Sequence, residues 1–190
     1  MKKVLLAVMM VGVFTLPSFS LLKIDGVYTQ FANASGVGAG LDLPLIPFIP
    51  TSIFVSQLAD TNITLGSFTI GGTSFSAGSI AFKQYMAELQ LQFPIGLLGV
   101  DVGACIAGNL ATADDGVGHT GAVPGNVYGG VYGKYSIDVL PLIKAYGQVG
   151  YLVKVVDGQR AFNEQASVNF DLSKLDQSGL YYRAGVSVGF

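Results

Sequence analysis

The chain has few of the residues that support redox or hydrolytic chemistry. Its 190 residues include one cysteine, one histidine and no tryptophan. The single Cys105 excludes an internal disulfide, and its apolar alternating surroundings predict a packed thiol. Acidic residues outnumber basic ones by 12 to 10, so the chain lacks the positive surplus of nucleic-acid-binding proteins. We therefore expect no redox chemistry and no nucleic-acid partner.

Long apolar runs are also missing after residue 20, although 51% of the residues are hydrophobic. The one sustained run, 4–16, follows a basic start and precedes the small residues Ser18 and Ser20, the pattern of a cleaved secretory signal. At thirteen residues it is shorter than the ~20 that a membrane-spanning helix needs. The sequence predicts a signal peptide over 1–20 and one domain over 21–190.

The remaining apolar residues are distributed over short alternating segments. Because backbone groups in hydrocarbon must all be paired, a closed sheet is the way to place such segments in a membrane. The predicted fold is an all-β, eight-stranded antiparallel up-and-down transmembrane β-barrel with short periplasmic turns and longer extracellular loops. Its strands are predicted at 22–31, 37–45, 51–59, 80–93, 97–110, 126–140, 142–156 and 179–190.

The predicted connections alternate in length around the barrel. Three short ones contain Pro44, Pro94 and Pro141 between apolar residues, which places proline at strand ends where no ladder hydrogen bond is lost. Longer connections cover 60–79, 111–125 and 157–178. The first keeps its alternation and is predicted to extend a hairpin beyond the membrane. Part of the last, 171–177, is predicted to form one helical turn.

Alternation assigns an outer apolar face and an inner polar face, most clearly in the strands at 97–110, 126–140 and 142–156 and less clearly in the first and third strands. Lys83 falls on the outer face, which is tolerable near a membrane interface. Aromatic girdles are expected from Phe93, Tyr135 and Phe190 at the turn side, and from Tyr28, Phe82, Tyr128 and Tyr151 at the loop side. The predicted inward charges form a balanced network in the lumen: Lys23, Asp25, Asp42, Glu88, Asp101, Lys134, Asp138, Lys144, Lys154 and Arg183.

Two interpretations of this network remain open. The charges pair with one another and plug the barrel, or they line a path for protons or ions. The plug is favoured, because the interior of an eight-stranded barrel is only just wide enough for side chains.

His119 is the lone candidate for a catalytic base. It lies in the Gly-rich connection with Asp114, Asp115 and Thr120 nearby. An acyl-transfer site also needs a positioned nucleophile and an oxyanion donor, and the sequence identifies neither. One His with two carboxylates gives no stronger case for a metal. We expect no enzyme, no cofactor and no metal.

The last eleven residues alternate as far as a C-terminal aromatic residue. With the signal, the eight strands and the proline turns, they make the chain similar to the small bacterial outer-membrane β-barrel superfamily, in its eight-stranded form. The resemblance covers about 22–190 and implies residence in the bacterial outer membrane, with its lipids as partners. It also implies that the barrel assembly machinery recognises Tyr182, Ala184, Val186, Val188 and Phe190.

Members of that superfamily serve as anchors, adhesins, small pores or lipid-modifying enzymes. Our leading hypothesis is a non-catalytic structural or surface-interaction protein whose extracellular loops contact an external ligand or surface. The alternatives are a narrow channel for small solutes and a lipid-modifying enzyme that uses His119 as its base.

Overall fold

The computed structural model describes residues 22–46, 49–65, 68–70, 73–75, 78–95, 99–114, 120–160 and 171–190. The predicted signal peptide and His119 lie outside these residues, so the structure describes neither. Within the described ranges, no helix is long and apolar enough to cross a bilayer.

The described residues are arranged mainly as β-strands. A single 3₁₀ turn, Ser173–Leu175, is placed within the segment predicted to be helical. The strands are β1 (Lys23–Gln30), β2 (Ser35–Ile46), β3 (Ile49–Leu58), β4 (Thr61–Leu65), β5 (Phe68–Ile70), β6 (Thr73–Phe75), β7 (Gly78–Pro94), β8 (Val100–Asp114), β9 (Thr120–Val123), β10 (Val127–Leu140), β11 (Ile143–Val156) and β12 (Gly179–Gly189).

Eight of these strands close into a ring. Its order is β7, β3, β2, β1, β12, β11, β10 and β8, and β8 returns to pair with β7. All pairings are antiparallel, and β1 meets β12 from Lys23 opposite Gly189 to Gln30 opposite Tyr182. The predicted eight-stranded up-and-down barrel, including the pairing of its first and last strands, is confirmed.

The prolines interrupt the ladders where the sequence predicted turns. The β2–β3 register shifts between Leu43 and Ile46, around Pro44. Pro94 is the last residue of β7, and Pro141 lies in the turn between β10 and β11. Since proline has no N–H to donate, these positions end pairing without leaving an unsatisfied donor. We call this end of the barrel the short-turn end and the opposite one the long-loop end.

Burial alternates along each ring strand. On β12, Tyr181, Arg183 and Ser187 are buried, whereas Tyr182 and Val186 remain about half exposed. Exposed large apolar side chains form a belt around the outside: Ile24, Tyr28, Val37, Leu41, Ile53, Val55, Tyr85, Leu89, Phe93, Val102, Ile106, Leu110, Val131, Tyr135, Ile137, Val149, Tyr151, Val153, Tyr182 and Val186. Water-soluble monomers rarely expose such a continuous apolar surface, so the belt is a surface suited to lipid.

Aromatic and apolar side chains fill the lumen towards the long-loop end. Glycines make room for two aromatic rings in the lumen: a Cβ at Gly150 would overlap the Tyr181 ring, and, nearer the short-turn end, one at Gly185 would overlap Tyr146. The main cluster contains Phe31, Ala34, Leu58, Met86, Cys105, Ala107, Tyr128, Tyr132, Leu152 and Tyr181.

Two of the expected girdle residues were assigned to the wrong side of the sheet. Phe82 is 1% exposed and Tyr128 is fully buried, because each shares the inward parity of its strand. Neither ring therefore faces lipid.

One wall of the barrel is taller than the rest. Beyond the ring, β4 pairs with Gly78–Phe82 of β7, and β9 pairs with Ala111–Asp114 of β8. With the upper parts of β7 and β8 these strands form a four-stranded projecting sheet at the long-loop end. The predicted extension of the hairpin is confirmed for Thr61–Leu65, whereas β5 and β6 form a separate two-stranded sheet.

Candidate functional site

An ion pair crosses the middle of the lumen. Arg183 Nη2 lies 2.6 Å from Glu88 Oε2, and both side chains are 1% exposed. These residues lie on β12 and β7, which are four strands apart in the eight-stranded ring and therefore opposite each other. The pair thus bridges the barrel from wall to wall.

Further hydrogen bonds surround this pair. Arg183 Nε donates to Thr29 Oγ1 at 2.9 Å, and the guanidinium stacks 4.3 Å from the centre of the Phe54 ring. Gln90 Nε2 donates to Glu88 Oε1 at 2.5 Å. The Tyr181 hydroxyl lies 3.4 Å from the same oxygen and accepts a hydrogen bond from Gln148 at 2.7 Å. We call Thr29, Glu88, Gln90, Gln148, Tyr181 and Arg183 the septum.

The septum pairs its two buried charges, although Arg183 Nη1 and Gln148 Oε1 have no hydrogen-bond partner of ordinary geometry in the described structure. A carboxylate and a guanidinium removed from water are costly unless they are paired and hydrogen-bonded. Alternation along the strands could place both charges inside, but it could not show that they meet, because β7 and β12 are not neighbours in the sheet.

Towards the short-turn end the predicted charges are closer to water. Lys144 Nζ lies 3.1 Å from Asp138 Oδ1, with side-chain exposures of 44% and 76%. Lys23, Asp42 and Asp101 are partly exposed. Asp101 accepts a hydrogen bond from Gln92 at 2.7 Å, and Asp42 accepts one from Ser52.

Two predicted charges lie deeper, between this mouth and the septum. Lys134 is buried, with Nζ 4.2 Å from the centre of the Tyr146 ring. Asp25 is 1% exposed and faces Ser187 across the β1–β12 pairing. The side-chain oxygens of Asp25, Tyr146 and Ser187 have no hydrogen-bond partner of ordinary geometry in the described structure.

At the long-loop end, a segment between β11 and β12 covers the lumen. We call residues 171–178 the cap. Leu172 and Leu175 are buried against the inner face of the projecting sheet, in a cluster with Ile63, Ile80, Phe82, Ala111, Ala113 and Val123. Burying two leucines stabilises such a contact by about 1.5–3 kcal/mol each.

Polar contacts fix the position of the cap over the mouth. The fully buried Gln177 donates from its backbone N–H to the Tyr128 hydroxyl at 3.0 Å and from its amide to Gln84 at 3.2 Å. Its side-chain oxygen accepts from the Asn33 N–H at 3.3 Å. Asn109 Nδ2 donates to the carbonyl of Leu175 at 2.8 Å. The cap is therefore attached to several strands of the ring and to the β1–β2 turn.

Lys154 joins the cap instead of the inner charge network. Its Nζ lies 2.7 Å from Asp157 and 3.0 Å from Asp176. The hydrogen bond from Lys154 lowers the pKa of Asp157 below its usual value. Partial burial alone would raise the pKa of Asp176, but hydrogen bonds from the Ser178 backbone and from Lys154 outweigh burial and lower it.

The remaining predicted positions lie on or near the outside of the barrel. Tyr182, Ala184 and Val186 are exposed, and Val188 is partly exposed on the same face. Phe190 is 69% exposed, and its N–H donates to the carbonyl of Leu22 at 3.0 Å. Lys83 lies on the outer face as predicted and pairs with Asp114 at 3.2 Å. Within the described ranges, no group of His, Cys, Asp and Glu is arranged to hold a metal ion.

Sequence reasoning missed the cap. Leu172, Leu175 and Gln177 follow no strand alternation, and their partners are distant in sequence: Gln177 and Gln84 are 93 residues apart. The available signal was the spacing of Leu172 and Leu175, about one helical turn apart in the otherwise polar stretch 171–178.

No family model matches the sequence, and no curated protein matches it. Several solved structures are similar in shape. The N-terminal β-barrel domain of Pseudomonas aeruginosa OprF is 8% identical, with 89% of this chain and 96% of that chain covered and a TM-score of 0.46. Neisserial surface protein A is 13% identical over 89% and 94% of the two chains, also with a TM-score of 0.46.

A major outer membrane protein from Thermus thermophilus gives a similar result. It is 12% identical, with 89% of this chain and 99% of that chain covered and a TM-score of 0.46. These are similarities of fold alone. At such values they assign no residue role, ligand or partner to this chain.

Proposed function

We propose that this protein is a closed, non-catalytic barrel of the bacterial outer membrane, which acts as a structural or surface-interaction protein through its long-loop end. The observation that carries the proposal is that two sets of contacts cross or cover the lumen. The septum bridges opposite walls at mid-height, and the cap covers the mouth above it.

The apolar belt supports residence in a membrane. Its exposed Val, Ile, Leu and Tyr side chains surround the ring, while each interior strand face carries polar or tightly packed groups. A closed ring leaves no unpaired ladder edge in hydrocarbon. The predicted signal peptide and terminal strand pattern favour the outer membrane as that location.

The shape of the long-loop end supports the surface role. The projecting sheet rises above the ring on one side only, and the cap braces its inner face with Leu172 and Leu175. A rigid hydrogen-bonded sheet loses little conformational freedom when it binds a partner, which favours binding.

Planar-bilayer recordings test the closure. We expect no stable, reproducible pore from the intact protein. A double variant, Glu88→Ala with Arg183→Ala, removes the charges of the septum but keeps the cap, and Gln177→Ala loosens the cap but keeps the septum. Each of these two variants keeps one of the two barriers, so neither should conduct, and any conductance should appear first when all three substitutions are combined. A stable pore from the unaltered protein would overturn the proposal.

The surface role needs a separate measurement. Bacteria displaying the protein are compared with bacteria displaying a form in which 66–77 is replaced by a short Gly-Ser turn. Reduced attachment to host-cell or matrix surfaces, with equal amounts of folded barrel in the membrane, is the expected result. Equal attachment by both forms would reject this connection as the contact.

A further inference from the structure

The outer face of the projecting sheet differs in chemistry from the belt directly below it. On β7 the outward positions change from Tyr85 in the belt to Lys83, Ala81 and Ser79. On β8 they change from Leu110 to Thr112 and then Asp114. The outward face thus loses its large apolar side chains within two residues on both strands.

This polar region extends across neighbouring strands. Asn62 and Thr64 on β4 are exposed, and Thr64 lies opposite Ser79 while Asn62 lies opposite Ala81. Ala81 in turn lies opposite Asp114, and Lys83 lies opposite Thr112. We call the set Asn62, Thr64, Ser79, Lys83, Thr112 and Asp114 the upper outer face.

The position of this face follows from the belt. Since alternate residues of one strand lie about 7 Å apart along it, the upper outer face begins one such step above the apolar side chains. If the belt lies in hydrocarbon, these side chains are level with the polar headgroups of the surrounding lipid. The face is therefore continuous with the lipid-facing surface and is not a separate loop tip.

The charges on the face are balanced. Lys83 Nζ lies 3.2 Å from Asp114 Oδ2, and the other four side chains are hydroxyls or an amide. An anionic headgroup would call for surplus positive charge, because phosphate recognition depends on unpaired Lys or Arg. Hydroxyls and amides that both donate and accept hydrogen bonds instead match the hydroxyls of a neutral sugar.

The face is also held rigidly. It lies on three strands of the four-stranded projecting sheet, whose reverse side packs on Leu172 and Leu175 of the cap. Apart from Lys83 the side chains are short, so little rotamer freedom is lost on contact. No comparable sheet rises above β1, whose last residue is Gln30, or above β12, which begins at Gly179, within the part of the chain that the structure describes.

We propose that the upper outer face binds the neutral sugar headgroups of glycolipids in the membrane around the barrel, on this side of the molecule only. This inference rests on the membrane residence included in the proposed function, but not on closure of the lumen.

The test measures the lipids that stay with the protein. The full-length protein is reconstituted in phosphatidylcholine bilayers with a minor fraction of digalactosyldiacylglycerol and extracted as polymer-bounded nanodiscs. We expect the glycolipid to be enriched about threefold over the bulk bilayer, since one net hydrogen bond changes occupancy by a factor of that order. The comparison variant is Thr64→Val, Ser79→Ala and Thr112→Val, which removes three hydroxyls without changing the charge.

The variant should show no enrichment, while the control Ser173→Ala, which removes an exposed hydroxyl from the cap, should behave like the unaltered protein. Valine keeps the β-branched shape of threonine, and heat-modifiable gel migration checks that each barrel is folded. If the triple variant does not fold, Thr64→Val alone is compared, and half or more of the enrichment should be lost.

Three results would overturn the inference: no enrichment by the unaltered protein, unchanged enrichment by the variant, or equal enrichment of anionic phosphatidylglycerol in a parallel bilayer. A pore in the bilayer recordings together with sugar-lipid enrichment would reject the closed lumen and leave this inference standing. No enrichment together with a closed lumen would reject this inference and leave the closed lumen of the proposed function standing.

Discussion

The short-turn end and the middle of this barrel hold charges in opposite ways. At the short-turn end, Asp138 and Lys144 form an ion pair whose side chains are 76% and 44% exposed. At mid-height, Glu88 and Arg183 form a pair whose side chains are 1% exposed, and neighbouring donors and acceptors surround it. A carboxylate and a basic side chain thus form a solvent-exposed ion pair at the short-turn end and a buried ion pair between opposite walls at mid-height.

Their energetic roles should differ accordingly. Exposed pairs contribute about 0–1 kcal/mol, because water already stabilises each charge. A buried pair is different: removing one partner leaves the other charge uncompensated in a medium that cannot solvate it. Two ion pairs with the same charges therefore contribute differently to the stability of the barrel, and the depth of each pair in the lumen determines its contribution.

The largest expected effect comes from breaking the buried pair. Glu88→Ala should lower the free energy of unfolding by about 3–5 kcal/mol, because Arg183 is left buried without its carboxylate. Urea unfolding of the protein in lipid vesicles measures the loss. The matched control is Asp138→Ala, for which we expect a change of about 0–1 kcal/mol. Equal losses of unfolding free energy for the two variants would remove the distinction between the buried pair and the exposed one.

The second effect concerns the cap. Leu175 is fully buried between the cap and the projecting sheet, so Leu175→Ala should cost about 2–3 kcal/mol. The loss should be local, because the septum and the ring ladders do not depend on this side chain. Hydrogen exchange at the Gln177 N–H should become faster while exchange in the ring strands stays unchanged. Faster exchange throughout the ring would show that the cap and the barrel unfold together.

The smallest effect is expected from pH. Asp157 and Asp176 have pKa values lowered by Lys154 and neighbouring donors, so their contribution is complete above the usual carboxyl pKa of about 4. It is lost as pH falls through the lowered values, because the protonated carboxyls no longer attract Lys154. The side chains of Asp157, Asp176 and Lys154 are 35%, 20% and 27% exposed, so water screens these pairs in part and the change should be about 1 kcal/mol or less.

Exchange at the Gln177 N–H, corrected for its intrinsic pH dependence, measures this loss. Lys154→Met is the control, since a variant without the ammonium should show little additional loosening below a pH of about 4. An equal acid response in that variant would assign the effect to other groups.

Much of the barrel could be predicted because strand alternation is a local property. The parity that puts Arg183 inside also puts Tyr182 and Ala184 outside, and Pro44, Pro94 and Pro141 mark the turns without reference to any distant residue. The boundary of β8 was less predictable: it begins at Val100 after Gly99, which has a positive φ of 74°, and continues to Asp114 because it pairs with β9.

The cap and the septum depend on contacts that no local pattern contains. Glu88 and Arg183 lie on strands that are not neighbours, so their meeting depends on the diameter of the closed ring. Leu175 packs on residues of β7, β8 and β9 after a connection with no strand period. Phe82 and Tyr128 were assigned to the wrong face for another reason. Aromatic residues are typical of lipid-facing girdles, and this was given more weight than strand alternation. Alternation places Phe82 on the same inner face as Gln84, and Tyr128 on the same inner face as Tyr132.

The seam between β1 and β12 has a consequence for how such a molecule changes over evolutionary time. Its pairing of Lys23 with Gly189 joins positions at opposite ends of the described chain. The entropy of bringing distant segments together grows only with the logarithm of the intervening length, so lengthening a connection at the long-loop end adds little to the cost of closing the ring. Insertions at the long-loop end therefore cost little stability, and the exposed surface can change in evolution while the ring and its strand registers stay the same.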